Sequence, residues 1–173
     1  MANEKKIYGI FRGAPFHWVG DGFRVSNYFP SGNDLEQRIS PFILMDYAPS
    51  YNYSSTTEQR GVGPHPHRGF ETVTIAFAGS VAHHDSAGNS GVIEPGDAQW
   101  MTAASGVLHK EYHEKKFAEQ GGLMHMAQIW VNLPKAHKMD PPGYQALTAE
   151  KMGHVNLPNN AGKVRIIAGE FQG

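Results

Sequence analysis

GPHPHRGFE, at residues 63–71, places two histidines two positions apart. Residues two apart in a β-strand project from the same face, so His65 and His67 can both face a barrel interior and bind one metal ion. A second pair with this spacing, His109 and Glu111, follows about 40 residues later. One such pair in a β-rich protein is more often solvated, but two pairs favour a single metal site formed by His65, His67, His109 and Glu111.

The composition restricts which metals and which chemistry this site can support. The chain has no cysteine, so thiolate ligands, disulfides and iron–sulfur clusters are excluded. Three neutral imidazoles and one carboxylate suit Fe(II), and also Mn, Ni, Co, Cu or Zn. Four ligands leave one or two coordination positions open for water, dioxygen or substrate, which favours a catalytic metal over a structural one.

Short β-rich runs, 20 glycines and 11 prolines spread along the chain are typical of an all-β sandwich or barrel. A turn at Gly79-Ser80 predicts a tight hairpin between the two strands that flank it. Residues 48–63, polar and aromatic, are predicted to form a loop at the site entrance, and residues 134–158 a long connection with one helical turn at 146–152. The predicted strands cover residues 6–11, 23–28, 42–47, 71–78, 81–85, 91–93, 98–102, 107–112, 127–132 and 164–168.

The length of 173 residues is enough for the core of one domain. With 15 basic and 16 acidic residues and no basic cluster, the chain is not expected to bind nucleic acid directly. It lacks the apolar segment of a signal peptide and any run of about 18 apolar residues, so we expect no membrane partner. These features predict a cytoplasmic protein, or a nuclear one in a eukaryote.

The run HPHRGFETVTIAFAGSVAHHDSAGNSGVIEPGDAQWMTAASGVLHKE (65–111), followed by QIWVNLP (128–134) and VRIIAGE (164–170), closely resembles the pirin family of the cupin superfamily. The resemblance covers the chain from about Arg24 onward. It implies a cupin double-stranded β-helix, or jelly-roll, barrel with mononuclear iron, bound by the four residues named above.

General cupins carry their carboxylate ligand four residues after the second histidine. Glu71 occupies that position here, and its strand parity predicts that it shares the face of His65 and His67. The resemblance to pirins selects Glu111 as the ligand instead. Glu71 would then orient a ligand imidazole or form part of the wall.

The resemblance also implies a function, quercetin 2,3-dioxygenase-type cleavage of a flavonol by dioxygen, with Glu111 or Glu71 deprotonating the substrate hydroxyl. The alternative is a non-enzymatic, iron-binding regulatory protein that acts through partner proteins. Members of the family usually carry a second barrel, and residues 164–173 look like its first strand. Because sheet edges and apolar surface would stay open without it, residues 1–173 are expected to form one cupin domain that assembles into a homodimer or larger oligomer.

The remaining histidines of this region are expected to have other roles. Of the adjacent His83 and His84, only one can face inward. His113 is predicted to lie at the rim of the site, and His125 is a candidate for its lining. Phe77, Trp100, Met101 and Trp130 are predicted to belong to the core or the pocket wall.

Overall fold

The structure is a computed structural model that describes residues 6–29 and 35–171. The described residues form two short helices, α1 (Leu35–Ile39) and α2 (Lys115–Gln120), and 3₁₀ turns at Lys135–His137 and Pro158–Asn160. None of the helices described is long and apolar enough to cross a membrane. The strands are β1 (His17–Val19), β2 (Phe23–Asn27), β3 (Phe42–Tyr53), β4 (Gly61–His67), β5 (Phe70–Ala78), β6 (Val81–Asp85), β7 (Ser90–Ile93), β8 (Ala98–Thr102), β9 (Val107–His113), β10 (Gly122–Asn132), β11 (Gly143–Leu147), β12 (Gly153–Asn156) and β13 (Lys163–Ile166).

Two antiparallel sheets make up the body of the protein. One has the strand order β1-β2-β3-β10-β5-β8-β11 and the other β4-β9-β6-β7, while β12 and β13 pair separately. Between β3 and β10 the chain passes from one sheet to the other at every step except β6 to β7. An apolar cluster with side chains from both sheets lies between them. This arrangement confirms the predicted all-β cupin barrel.

The inward-facing side chains alternate along each strand and divide the interior into an apolar part and a polar part. The apolar part is formed by Phe23, Val25, Ala48, Tyr53, Ala76, Val81, Ile93, Met124 and Met126. The inward positions of β9 are instead polar, because His109, Glu111 and His113 are all buried. The strand that carries the second predicted ligand pair therefore faces the barrel interior, as its spacing predicts.

The predicted hairpin at Gly79-Ser80 is wrong. Strand β5 pairs with β8 and β10, whereas β6 pairs with β7 and β9. Gly79, at φ 80°, reverses the chain direction, and β6 then enters the opposite sheet. Turn residues specify a reversal of the chain, but not which strands pair after it.

Three other local predictions are also wrong. Residues 6–11 form no strand, and Ile7 and Ile10 are more than four-fifths exposed, so their apolar side chains have no sheet to pack on. Most of the predicted loop 48–63 belongs to the long strand β3 and to the start of β4. The predicted helical turn at 146–152 is occupied by the end of β11 and by turns, because β11 pairs with β8.

Close approach of β4 to β9 requires a residue without a side chain at position 61. A Cβ atom on Gly61 would overlap the backbone of Glu111 and Tyr112, whereas one on Gly63 would have no heavy atom within 4 Å. We expect Gly61→Ala to lower the free energy of unfolding by about 1–3 kcal/mol through overpacking. Gly63→Ala is the matched control and should be close to neutral. Urea denaturation of both variants checks this, and equal effects at the two positions would contradict it.

Candidate metal centre

Three of the four predicted ligands meet in the barrel interior. His65 and His67 project from β4 and His109 from β9, where His65 and His109 are direct cross-strand partners. One ring nitrogen of each lies within 4.8 Å of the others. The ring centroids are 4.3 Å apart for His65 and His109, 4.7 Å for His67 and His109, and 4.8 Å for His65 and His67. Three convergent imidazoles of this kind could hold one metal ion.

The hydrogen bonds of these rings leave nitrogen lone pairs free for a metal. His65 Nδ1 lies 2.8 Å from the carbonyl oxygen of Gly63, which can only accept, so in the neutral ring Nδ1 carries the proton and Nε2 the lone pair. His109 Nε2 is buried and has no hydrogen-bond partner. A buried nitrogen without a partner costs about 1–3 kcal/mol unless it binds something. The residues present therefore fit a metal ion at this position.

The electrostatics of the site keep two of the imidazoles neutral. Burial, with a smaller effect of nearby His65, lowers the pKa of His67 to about 4. Burial also lowers the pKa of His109 to about 2, with further contributions from the neighbouring histidines. Neutral imidazole is the form that coordinates metals, so these two rings need not lose a proton on binding at neutral pH.

Glu111, the fourth predicted ligand, lines the same cavity as His65 and His67 but lies outside the three-histidine cluster. Its carboxylate is buried and both of its oxygens accept hydrogen bonds. Oε1 accepts from Gln99 Nε2 and, at 3.3 Å, from Thr74 Oγ1, and Oε2 accepts from Gln128 Nε2 at 2.8 Å. Neutral donors thus stabilise the carboxylate inside the barrel.

The two amides that hold Glu111 are themselves oriented by aromatic side chains. Trp130 Nε1 donates to Gln128 Oε1 at 3.1 Å, and the hydroxyl of Tyr144 donates to Gln99 Oε1 at 3.2 Å. Each bond occupies the amide oxygen and so turns the NH₂ group toward Glu111. Sequence analysis did not identify Gln99, Gln128 or Tyr144 as part of the site. The signal that could have identified Gln99 and Gln128 was a polar residue at an inward-facing position of a strand.

A cavity of about 340 Å³ adjoins the cluster. Its polar lining is formed by Asp46, His65, His67, Glu111 and Gln128, and its mostly apolar remainder by Val19, Phe23, Val25, Val62, Met126 and Trp130. Of the predicted entrance loop 48–63, Val62 contributes to this lining, but it lies on strand β4. The cavity therefore combines an apolar wall with a small group of polar side chains, as small-molecule sites do.

The structure does not bring Glu71 into this site. Strand β4 ends at His67 and β5 begins at Phe70, so the two-residue periodicity that relates His65 to His67 does not continue to Glu71. The inward residues of β5 are Thr72, Thr74 and Ala76, which are fully buried. Glu71 lies on the other face, where it accepts a hydrogen bond from Thr102 Oγ1 at 2.6 Å. The expectation that Glu71 shares the face of the histidines is wrong.

The other histidines of this region differ in burial and in the groups that they contact. His83 is fully buried behind His109, and His84 is exposed, so only one of this pair faces inward, as predicted. His113 is not at the rim but buried in the apolar cluster, where its Nε2 lies 2.7 Å from the carbonyl oxygen of Gly22. His125 contacts Tyr47 and Phe77 and does not line the cavity, because a register irregularity separates it from Met126.

Comparison with known proteins gives a consistent family. The family model described as Pirin matches residues 22–131. "Putative quercetin 2,3-dioxygenase PA2418" of Pseudomonas aeruginosa is 55% identical over 167 residues, which are 96% of this chain and 58% of that protein. A pirin-like protein of Caulobacter vibrioides is 35% identical over 95% of this chain and 56% of its own length.

A solved structure supports the same relationship. The crystal structure of a quercetin 2,3-dioxygenase from Acinetobacter baumannii matches with a TM-score of 0.91 at 54% identity, over 96% of this chain and 58% of that one. This chain therefore spans less than two thirds of the length of these relatives.

Two buried histidines on β9 allow a matched test of the metal site. His109→Ala should lower the metal content of the purified protein strongly, by more than the roughly 10–100-fold loss of affinity typical of an outer-shell partner. His113→Ala removes an equally buried imidazole four residues away and should leave the metal content unchanged. Elemental analysis of both variants, with circular dichroism to confirm folding, measures this. Equal metal loss in both would show that the centre is misassigned.

The metal-free protein should lose stability on acidification. In the unfolded chain each histidine titrates near pH 6.5, whereas the pKa of folded His67 is about 4. Between these values the unfolded chain binds protons that the folded chain does not, so the free energy of unfolding is highest above about pH 6.5 and falls toward about pH 4. Denaturation of the metal-free protein across this range tests the expectation. His67→Gln should make the profile shallower, while His109 and His113, whose pKa values burial also lowers, still contribute to it. An unchanged profile in that variant would contradict the assignment.

Proposed function

This chain belongs to the pirin family of cupins, and on that premise we propose that it is a metal-dependent dioxygenase that opens the heterocyclic ring of a flavonol. The observation that carries the proposal is the three-histidine cluster beside an apolar cavity that also contains a buried carboxylate. The relatives named for quercetin 2,3-dioxygenase activity, at 54% and 55% identity, support the same reaction class.

His65, His67 and His109 would hold the metal. A divalent metal bound by imidazoles supplies Lewis acidity and an open coordination position. Fe(II) is the first candidate, from the family resemblance, and Mn, Ni, Co, Cu and Zn fit the same donor set. The participation of Glu111 as a fourth ligand stays a prediction.

Glu111 is the proton acceptor in this proposal. A flavonol must lose the proton of its 3-hydroxyl group before dioxygen can attack the ring. Glu111 and Asp46 are the carboxylates that line the cavity. Of the two, Asp46 is half-buried and Glu111 is buried. Gln99, Gln128 and Thr74 hold it in place, so it can take up the proton without a large rearrangement.

The apolar wall positions the substrate and excludes water. A volume of about 340 Å³ lies within the usual range of small-molecule pockets, about 300–1,000 Å³. Flat aromatic rings of the substrate would pack against Phe23, Met126 and Trp130. The chemistry then ends with ring cleavage by dioxygen and release of carbon monoxide.

We expect the Fe-, Mn-, Ni-, Co- or Cu-loaded protein to consume quercetin in air. Loss of flavonol absorbance together with carbon monoxide release measures the reaction. Glu111→Gln should lower kcat by about 10²–10⁴-fold, because an amide cannot accept the proton. The metal content of the variant is measured in parallel, so that a loss of base is distinguished from a loss of metal.

Glu71→Gln is the matched control and should retain full activity, since Glu71 lies outside the cavity. Activity lost equally in both variants would contradict the role of Glu111. Absence of turnover with every metal would contradict the enzymatic function and favour a metal-binding regulatory protein instead.

A further inference from the structure

A line of three buried groups leads away from the metal centre behind His109. His109 Nδ1 lies 3.3 Å from His83 Nδ1. The other nitrogen of His83, Nε2, lies 3.1 Å from Asp85 Oδ2. The side chains of His83 and Asp85 are 0% and 1% exposed. Two of these three groups have no role in the proposed reaction.

The donors and acceptors in this line are compatible with one arrangement of protons. A carboxylate only accepts, so His83 Nε2 carries a proton and donates it to Asp85. His83 Nδ1 is then a lone pair, which accepts from His109 Nδ1–H. His109 Nε2 is left without a proton and faces the cluster.

The opposite arrangement fails at both ends of the line. If His83 donated to His109, the unprotonated Nε2 of His83 would face the carboxylate of Asp85, lone pair against negative charge. His109 Nε2 would in turn carry a proton, and it has no acceptor in the described structure. Both defects are costly in a buried site.

The far end of the line is firmly anchored. Asp85 is the cross-strand partner of His109. It accepts hydrogen bonds at 2.9 Å from the backbone N–H groups of Ala87 and Asn89, and from the side-chain amide of Asn89. Burial acts to raise the pKa of Asp85, but these bonds and the one from His83 together place it below its ordinary value. Asp85 is therefore a fixed negative acceptor.

A second contact, against the face of its ring, also restrains His83. The ring of Tyr144 stacks on it with centroids 4.6 Å apart and an angle of 11° between planes. Tyr144 belongs to β11, outside the part of the chain matched by the family model. Its contact prevents the His83 ring from turning away from His109.

We propose that Asp85 and His83 are positioning residues that hold His109 in its Nδ1–H form, so that its Nε2 is presented to the metal. The inference rests on the metal site of the proposed function and not on flavonol cleavage. It assigns no catalytic step to either residue. Partners of this type commonly raise metal affinity by about 10–100-fold.

Two measurements test this, and neither depends on activity. In the metal-free protein, ¹⁵N NMR of the imidazole rings should show His109 protonated at Nδ1 and His83 protonated at Nε2. Cobalt(II) affinity, measured by competition with a chelator, should fall by about 10–100-fold in His83→Phe. His83→Gln offers an amide oxygen to His109 Nδ1–H and should recover most of that loss.

His84→Phe is the matched control, with the same substitution at the exposed neighbour, and should bind cobalt(II) like the unmodified protein. The proposal is overturned if His109 is protonated at Nε2, if folded His83→Phe keeps its affinity, or if folded His83→Gln binds as weakly as His83→Phe. Should His83→Phe fail to fold, the ring tautomers still decide the question. Quercetin turnover can be absent without affecting any of these results.

Discussion

The register of strand β9 is the constraint on which the rest of this site depends. β9 lies between β4 and β6, and pairs with both. On one side it sets His109 directly opposite His65, and on the other it sets His109 opposite Asp85 and Glu111 opposite His83. A slip of one residue would turn every one of these side chains to the other face of the sheet. The three-histidine cluster, the carboxylate of Glu111 and the line of buried groups behind His109 therefore form together or not at all.

The sequence predicted the parts of the site that lie within one strand. The spacing of two in His65 and His67, and in His109 and Glu111, encodes a common face because strand periodicity is local. The same argument failed for Glu71, since the chain turns at Arg68 and Gly69 before the next strand begins. Periodicity has no meaning across a turn, and the residue after it takes its direction from new neighbours.

The pairing of the strands and the hydrogen-bond network around Glu111 could not be predicted from local sequence, for a related reason. Short alternating runs located most strands of the barrel, but the Gly79 turn gave no information on which sheet β6 enters. Gln99 and Gln128 hold Glu111 from β8 and β10, which are not neighbours in the large sheet. Strand β5 lies between them and contributes Thr74. Their role depends on this tertiary arrangement, so no motif of adjacent residues marks it.

Within this polar interior, the hydrogen bonds distinguish the polar groups that are already paired inside the barrel from a nitrogen that is left to bind a ligand. Buried polar groups are tolerated where each has a partner, and Glu111, Thr74, Gln99 and His83 all have one. In the described residues, His109 Nε2 is the buried side-chain nitrogen or oxygen that lacks one. A metal would remove this defect, and a ligand that binds the folded state alone also stabilises it. The line of hydrogen bonds from His109 through His83 to Asp85 is therefore best explained by a metal ion expected at His109 Nε2.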